Sequence, residues 1–205
     1  MSVSQRPVLG IDPGLTRCGI GLVRGPASRP QLVAHDCVRT TPDLPLEQRL
    51  LAVHEAVVAA VEAHRPSAVA VEQVLFSVNV RTAMATGQAA GAALLAAART
   101  GVEVHAYSPT DVKLTVAGAG DADKDALGRL VAAQLRLDEV PRPADVADAL
   151  AVALTHLARA RLDGAAAGTP TAEALAAARR GAAVGARGGW EAVLSARGYD
   201  TGGGR

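Results

Sequence analysis

Four carboxylates stand where acids are costly to place. Asp12 ends the apolar run Val8-Leu9-Gly10-Ile11 just before a Pro13-Gly14 turn, and Glu72 ends a second run, Val69-Ala70-Val71. Asp145 and Asp148 open a strongly apolar stretch, three residues apart. On a helix that spacing puts both side chains on one face, where they can converge on one ion. Acids in a first turn also complement the helix dipole, which accounts for Asp145 or Asp148 singly without any chemistry. It accounts less well for Asp148 on an otherwise apolar helix. An ionised carboxylate inside apolar packing must be neutralised, hydrogen-bonded or paired with a cation, and a metal ion is one such solution. Oxygen-only ligands suit a hard divalent ion, Mg²⁺ or Mn²⁺, rather than zinc, which favours His or Cys at close spacing. The histidines His35, His54, His64, His105 and His156 show no such spacing and read as surface or packed residues. Carboxylates around two Mg²⁺ ions about 3.5–4 Å apart suit phosphoryl transfer, which makes a phosphodiester the expected substrate class.

The elements that must position these acids follow from periodicity. Val8–Asp12, Cys18–Val23 and Gln31–Val38, separated by Pro-Gly and Gly-Pro turns, read as an antiparallel meander. Leu46, Leu50, Val53, Val57 and Val61 recur at helical steps and stop before Pro66. A strand over 69–72, a helix over 79–99, a strand over 102–107 and helices over 121–137 and 144–162 complete the pattern. Three antiparallel strands followed by alternating strands and helices imply an α/β fold with a mixed sheet covered by helices.

With 205 residues and a net charge of +1, the chain fits one domain with an appendage and carries no overall basic excess. A nucleic-acid partner would have to be read locally. Residues 1–162 form the expected folded domain. Residues 163–205, rich in Ala, Gly and Arg with few large apolar side chains, are expected to be a disordered tail. No signal peptide or membrane span is evident, so a cytoplasmic location is expected. Cys18 and Cys37 read as reduced, small apolar residues, with a cross-strand disulfide as the alternative. Only two lysines occur, Lys113 and Lys124, and they flank Thr115–Gly120, read as a loop. Either they are solvated surface charge or their ammonium groups reach a phosphate.

In order along the chain, Gly10-Ile11-Asp12-Pro13-Gly14, Val71-Glu72-Gln73-Val74, Gly87-Gln88-Ala89-Ala90-Gly91, Asp111-Val112-Lys113 and Asp145-Val146-Ala147-Asp148-Ala149-Leu150-Ala151 closely resemble the RuvC family of bacterial Holliday junction resolvases. The resemblance spans about residues 7–160. It implies a ribonuclease H-like fold, a homodimer and an Mg²⁺-dependent endonuclease of four-way DNA junctions with two ions per site, Mn²⁺ able to substitute. It further implies paired symmetric nicks that leave 5′-phosphate and 3′-hydroxyl ends, and cooperation with the RuvA and RuvB branch-migration proteins. Asp12, Glu72, Asp145 and Asp148 match the family's catalytic acids, and Lys113 and Lys124 match two of its basic positions. Where the family commonly has an aromatic pair after the Glu72 strand, this chain has Leu75-Phe76, leaving Phe76 either to stack at the junction or to plug the loop apolarly. Asn79 and Arg81 are candidates for sugar or phosphate contacts.

Met84, Gly87, Gly91, Leu94 and Ala98 form a small-residue stripe at steps of three and four that would admit a second helix closely, or pack only on its own sheet. The family resemblance favours the first as a dimer interface. Two other function classes compete with the nuclease. Asp12-Pro13-Gly14 with Gly19 also resembles the first phosphate loop of actin-like ATP-binding phosphotransferases, which would need a second half to complete the site. The remaining alternative is a junction-binding module without catalysis.

Overall fold

The computed structural model describes residues 6–73 and 80–166, with residues 161–166 as helix backbone only. Five strands form one sheet in the order β3-β2-β1-β4-β5. β1 (Val8–Asp12), β2 (Arg17–Arg24) and β3 (Gln31–Arg39) pair antiparallel, whereas β4 (Ala68–Glu72) and β5 (Glu103–Tyr107) run parallel to β1. The expected mixed sheet is therefore present, with β1 and its terminal acid at the centre. No helix among the described residues is long and apolar enough to cross a membrane.

Period-two alternation divides the strands between two apolar cores. On one face Leu9, Ile11, Ile20, Leu22, Val69 and Val71 meet Val53, Val57 and Val61 of α1 (Leu46–His64) and alanines of α2 (Val80–Arg99). The opposite face lies under α3 (Pro109–Ala117), α4 (Lys124–Leu135) and α5 (Ala144–Ala166), with Val8, Val23 and Ala70 in its core. Cys18 packs in the first core and Cys37 against the second, so the pleat points the two thiols to opposite faces. Both are free cysteines, and burial pushes the Cys18 thiol up to about 12, which keeps it an unreactive apolar residue.

Two expectations need correction. Thr115–Ala117 belong to helix α3 rather than to a loop. Ser108 caps that helix by accepting from the Asp111 N–H at 3.1 Å, Pro109 starts it, and Gly118 ends it at φ 72°. The helix expected over 121–137 is confined to Lys124–Leu135. Asp123 accepts from the Ala126 N–H at 2.6 Å to begin it, and Arg136 turns left-handed at φ 56° to close it. Along α1 the apolar stripe is only partly buried, since Leu46 stays exposed while Val53, Val57 and Val61 are covered. Periodicity reports which side of a helix faces inward but not how far the covering surface extends.

α5 lies unusually close to the sheet because the strands beneath it lack side chains. A Cβ placed on Gly10 would fall 2.1 Å from the Ala149 carbonyl oxygen, and one on Gly19 would fall 1.9 Å from that of Asp145. Gly21 is similarly pressed by Leu150. Glycine is thus required on β1 and β2 for backbone to meet backbone.

Candidate active site

The parallel register sets β4 alongside β1 from Val8↔Ala68 to Ile11↔Val71, so Asp12 and Glu72, the next residue of each strand, end their strands side by side. Both belong to the face that α5 covers, since Ile11 and Val71 point to the other. The close approach at Gly19 brings the first turn of α5 over this edge, and with it Asp145 and Asp148. Acids from three stretches distant in sequence are thereby gathered by three elements and three glycines.

Electrostatics reports the gathering. Burial, then the charges of Glu72 and Asp148 and, more weakly, Asp145, push the Asp12 carboxyl up to about 8, against an opposing pull from Lys124. Burial and the Asp148 charge push Glu72 up to about 7, with Lys124 and Lys113 opposing. The strands hold these acids in surroundings where a negative charge lacks compensation.

Two of the acids have cations. Arg17 Nε lies 2.9 Å from Asp145 Oδ2, and Lys124 Nζ donates to Asp148 Oδ2 at 3.2 Å. The lysine side chain is 76% exposed and its partner only 12%, so an ammonium on an exposed stem reaches in to an almost buried carboxylate. Asp148 and, more weakly, Asp12 and Glu72 raise the Lys124 pKa, so it stays charged. No three His, Cys, Asp or Glu side chains among the described residues are arranged to hold a metal ion as they stand. The donor set nonetheless fits a divalent cation chemically: it is all oxygen, partly desolvated and short of positive charge, and Arg17 and Lys124 stand where cation density is needed.

Of the other sequence candidates, Lys113 on α3 and Lys124 at the start of α4 both act on Glu72. Arg81 is exposed in the first turn of α2, while Phe76 and Asn79 lie outside the described residues, as does the tail from 167 on. The stripe on α2 faces solvent in the single chain. Met84 is 62% exposed, and a Cβ on Gly87 or Gly91 would meet nothing within 4 Å, whereas Ala89, Ala93, Ala96 and Ala97 supply the buried side. The reading that the stripe packs on its own sheet is thereby excluded.

Sequence reasoning missed Arg17, the partner of Asp145, because only the β2 start and the α5 approach place it there. It also missed the contact of Tyr107 Oη with His156 Nδ1 at 2.8 Å, beside which the His105 ring lies tilted at 4.5 Å between ring centroids. Tyr107 is the β5 partner of Glu72, so this polar cluster borders the acidic edge.

A mixed sheet with this strand order, acids ending its central strands and a third acidic element laid across them defines a nuclease of the ribonuclease H-like class. Residues 8–156 match the family described as crossover junction endodeoxyribonuclease RuvC, and the chain belongs to that family. The crossover junction endodeoxyribonuclease RuvC of Salinispora arenicola is 54% identical over 153 residues, covering 74% of this chain and 87% of its own length. That of a Nocardioides species is 48% identical over 163 residues, covering 77% and 92%. Among solved structures, Thermus thermophilus RuvC in complex with a Holliday junction substrate superposes with a TM-score of 0.74 at 41% identity, covering 78% of this chain and 97% of that one. The yeast mitochondrial Holliday junction resolvase Ydc2, at 12% identity and a TM-score of 0.54, shares the fold. The chain is thus an endonuclease of DNA recombination and repair. The actin-like alternative finds no second sheet among the described residues.

Proposed function

We propose that the chain resolves four-way DNA junctions by Mg²⁺-dependent phosphodiester hydrolysis, with Asp12, Glu72, Asp145 and Asp148 as the metal-holding acids. The observation that carries this reading is the burial of Asp12 and Glu72 beside the charges of neighbouring acids, which lifts Asp12 to about 8 and Glu72 to about 7 and leaves a place for a cation. Two bound Mg²⁺ ions, with Mn²⁺ able to substitute, would supply an activated water and stabilisation of the leaving oxygen, giving 5′-phosphate and 3′-hydroxyl ends.

The protein's own groups do the rest. Asp12 and Glu72 sit on rigid central strands and define the position of the site. Asp145 and Asp148 share one helix face and turn toward it from Arg17 and Lys124. Lys124, released from Asp148, and Lys113 then meet the scissile phosphate and the charge developing on it. Arg81 contacts sugar or phosphate outside the centre, together with Asn79, and Phe76 stacks at the junction core.

Paired nicks across a two-fold junction need two such sites in fixed relation, which a closed dimer provides. The exposed stripe of Met84, Gly87, Gly91, Leu94 and Ala98 is the surface assigned to that dimer. The nuclease domain ends near residue 162, and the protein works in the cytoplasm with RuvA and RuvB. A synthetic four-way junction incubated with Mg²⁺ or with EDTA tests the reading: symmetric nicks with Mg²⁺ and none with EDTA are expected. Intact junction under both conditions, with only a mobility shift, would reduce the protein to a binding module.

A further inference from the structure

Beside the acidic edge, the fold brings three guanidinium groups together and leaves them short of anions. Arg17 opens β2 and Arg39 closes β3, and the antiparallel register sets them directly opposite each other. Like charges in that position destabilise a strand pair. Arg142, just ahead of α5, adds a third positive charge: with Arg17, Arg39, Pro143, Ala144 and Asp145 it lines an open cavity of about 480 Å³. Among the described residues Asp145 is the one carboxylate in that lining, and Arg17 is its salt-bridge partner. Three positive charges thus face one negative charge.

The cavity continues into a second, of about 280 Å³, that shares Arg17, Arg39 and Pro143 and is completed by Thr16 and Thr40. This far wall is held in place. Thr40 Oγ1 donates to the Leu15 carbonyl at 2.5 Å and accepts from Arg49 Nε at 2.8 Å, while Arg49 Nη2 donates to Thr16 Oγ1 at 3.0 Å. A groove therefore leads from Asp145, one of the four acids, past three arginines to a wall held by hydrogen bonds.

We propose that Arg17, Arg39 and Arg142 bind a backbone phosphate of the DNA strand being cut, one that neighbours the scissile phosphate. The inference rests on the junction-cleaving function proposed above and gives that site its strand-holding groove. A phosphodiester has one negative charge and two free oxygens in the geometry a guanidinium fork accepts, and it removes the repulsion between Arg17 and Arg39. It also answers a need of the whole chain, since a net charge of +1 supplies no general attraction for a polyanion. Local cations along the strand's path supply that attraction.

The test measures junction binding against salt in the Asp12→Asn background, where a fluorescent four-way junction stays uncut. Each phosphate contact contributes about 0.9 to the slope of log K against log salt. Because the arginines share one phosphate, Arg39→Ala and Arg142→Ala should each lower the slope by part of that amount, and the double variant by about 0.9 in all. Arg24→Ala, which removes an exposed arginine at the other end of β2, should leave it within error. Should an alanine variant lose its folded circular-dichroism signal, glutamine at the same position tests the same charge. Slopes for Arg39→Ala and Arg142→Ala equal to that of Arg24→Ala overturn the groove and leave junction recognition standing. Thermal stabilisation of the wild type by inorganic phosphate with all slopes unaltered would assign the cavity to a free anion and likewise overturn it. Failure of the parent protein to bind the junction at all would bring down the functional reading, and the groove with it.

Discussion

The two faces of the sheet use the same five strands for different purposes. Toward α1 and α2 the strands present Leu9, Ile11, Ile20, Leu22, Val69 and Val71, large side chains that keep the helices at a distance and fill the gap with dry apolar contact. Toward α5 they present Gly10, Gly19 and Gly21 and then two acids. Removing side chains lets the α5 backbone settle on the strands and carries its first-turn acids over Asp12 and Glu72. Both faces supply apolar stability, but only the α5 face also brings like charges together, a cost that the two cores offset.

The largest test of this contrast is chemical. Asp12→Asn, Glu72→Gln, Asp145→Asn and Asp148→Asn each remove one negative ligand with little change of shape, and junction cleavage should fall on the order of 10³-fold or more while folding and binding persist. Near-normal cutting by any two of these variants would remove the acids from the mechanism. Lys113→Ala and Lys124→Ala should slow cutting by roughly 10- to 100-fold, and more than they weaken binding, as contacts made in the transition state do. Equal, small losses would return both to surface charge.

Next in size is the backbone contact. Gly19→Ala forces a methyl group to within 1.9 Å of the Asp145 carbonyl oxygen, so α5 must move. We expect urea melts to show roughly 3 kcal/mol or more of destabilisation, with cleavage per folded molecule lost as well. On the other face Val57→Ala should cost about 2 kcal/mol and leave the cleavage rate intact. If Gly19→Ala resembled Val57→Ala in both measurements, the two faces would not differ in the way described.

A pH effect comes third. Asp12 holds its proton to about 8 in the fold but only to its ordinary 3.8 when unfolded, and Glu72 to about 7 against 4.5. Between those limits the native state binds more protons than the unfolded chain, so stability of the protein in EDTA should fall as pH rises from about 4 to 8. Denaturant midpoints across that range, compared with those of Asp12→Asn, measure it: the variant should show a flatter profile. A parent profile that rises with pH would contradict the burial of these acids.

The smallest effect on the protomer should come from Gly91→Leu, since nothing lies within 4 Å of its added Cβ. Its melting temperature should match the parent's while sedimentation shows a monomer unable to make paired nicks. A variant that stays dimeric and resolves junctions normally would place the interface elsewhere.

Much of this was already legible in the chain. The continuous apolar runs in Val8–Asp12 and Ala68–Glu72 mark buried strands, and the acids ending them mark an unusual demand, because both signals are carried by neighbouring residues. Helix α3 escaped that reading because its evidence lies in caps, Ser108 and Gly118, more than in an apolar stripe. Phe76 and Asn79 lie outside the described residues. What only the tertiary structure decided are relations between distant segments: Arg17 on Asp145, Arg17 opposite Arg39, Tyr107 on His156, and the α2 stripe turned to solvent. Sequence spacing determines which side of its own element a residue occupies. Which other element meets that side depends on strand register and on how closely a helix can approach, and here three glycines set that approach.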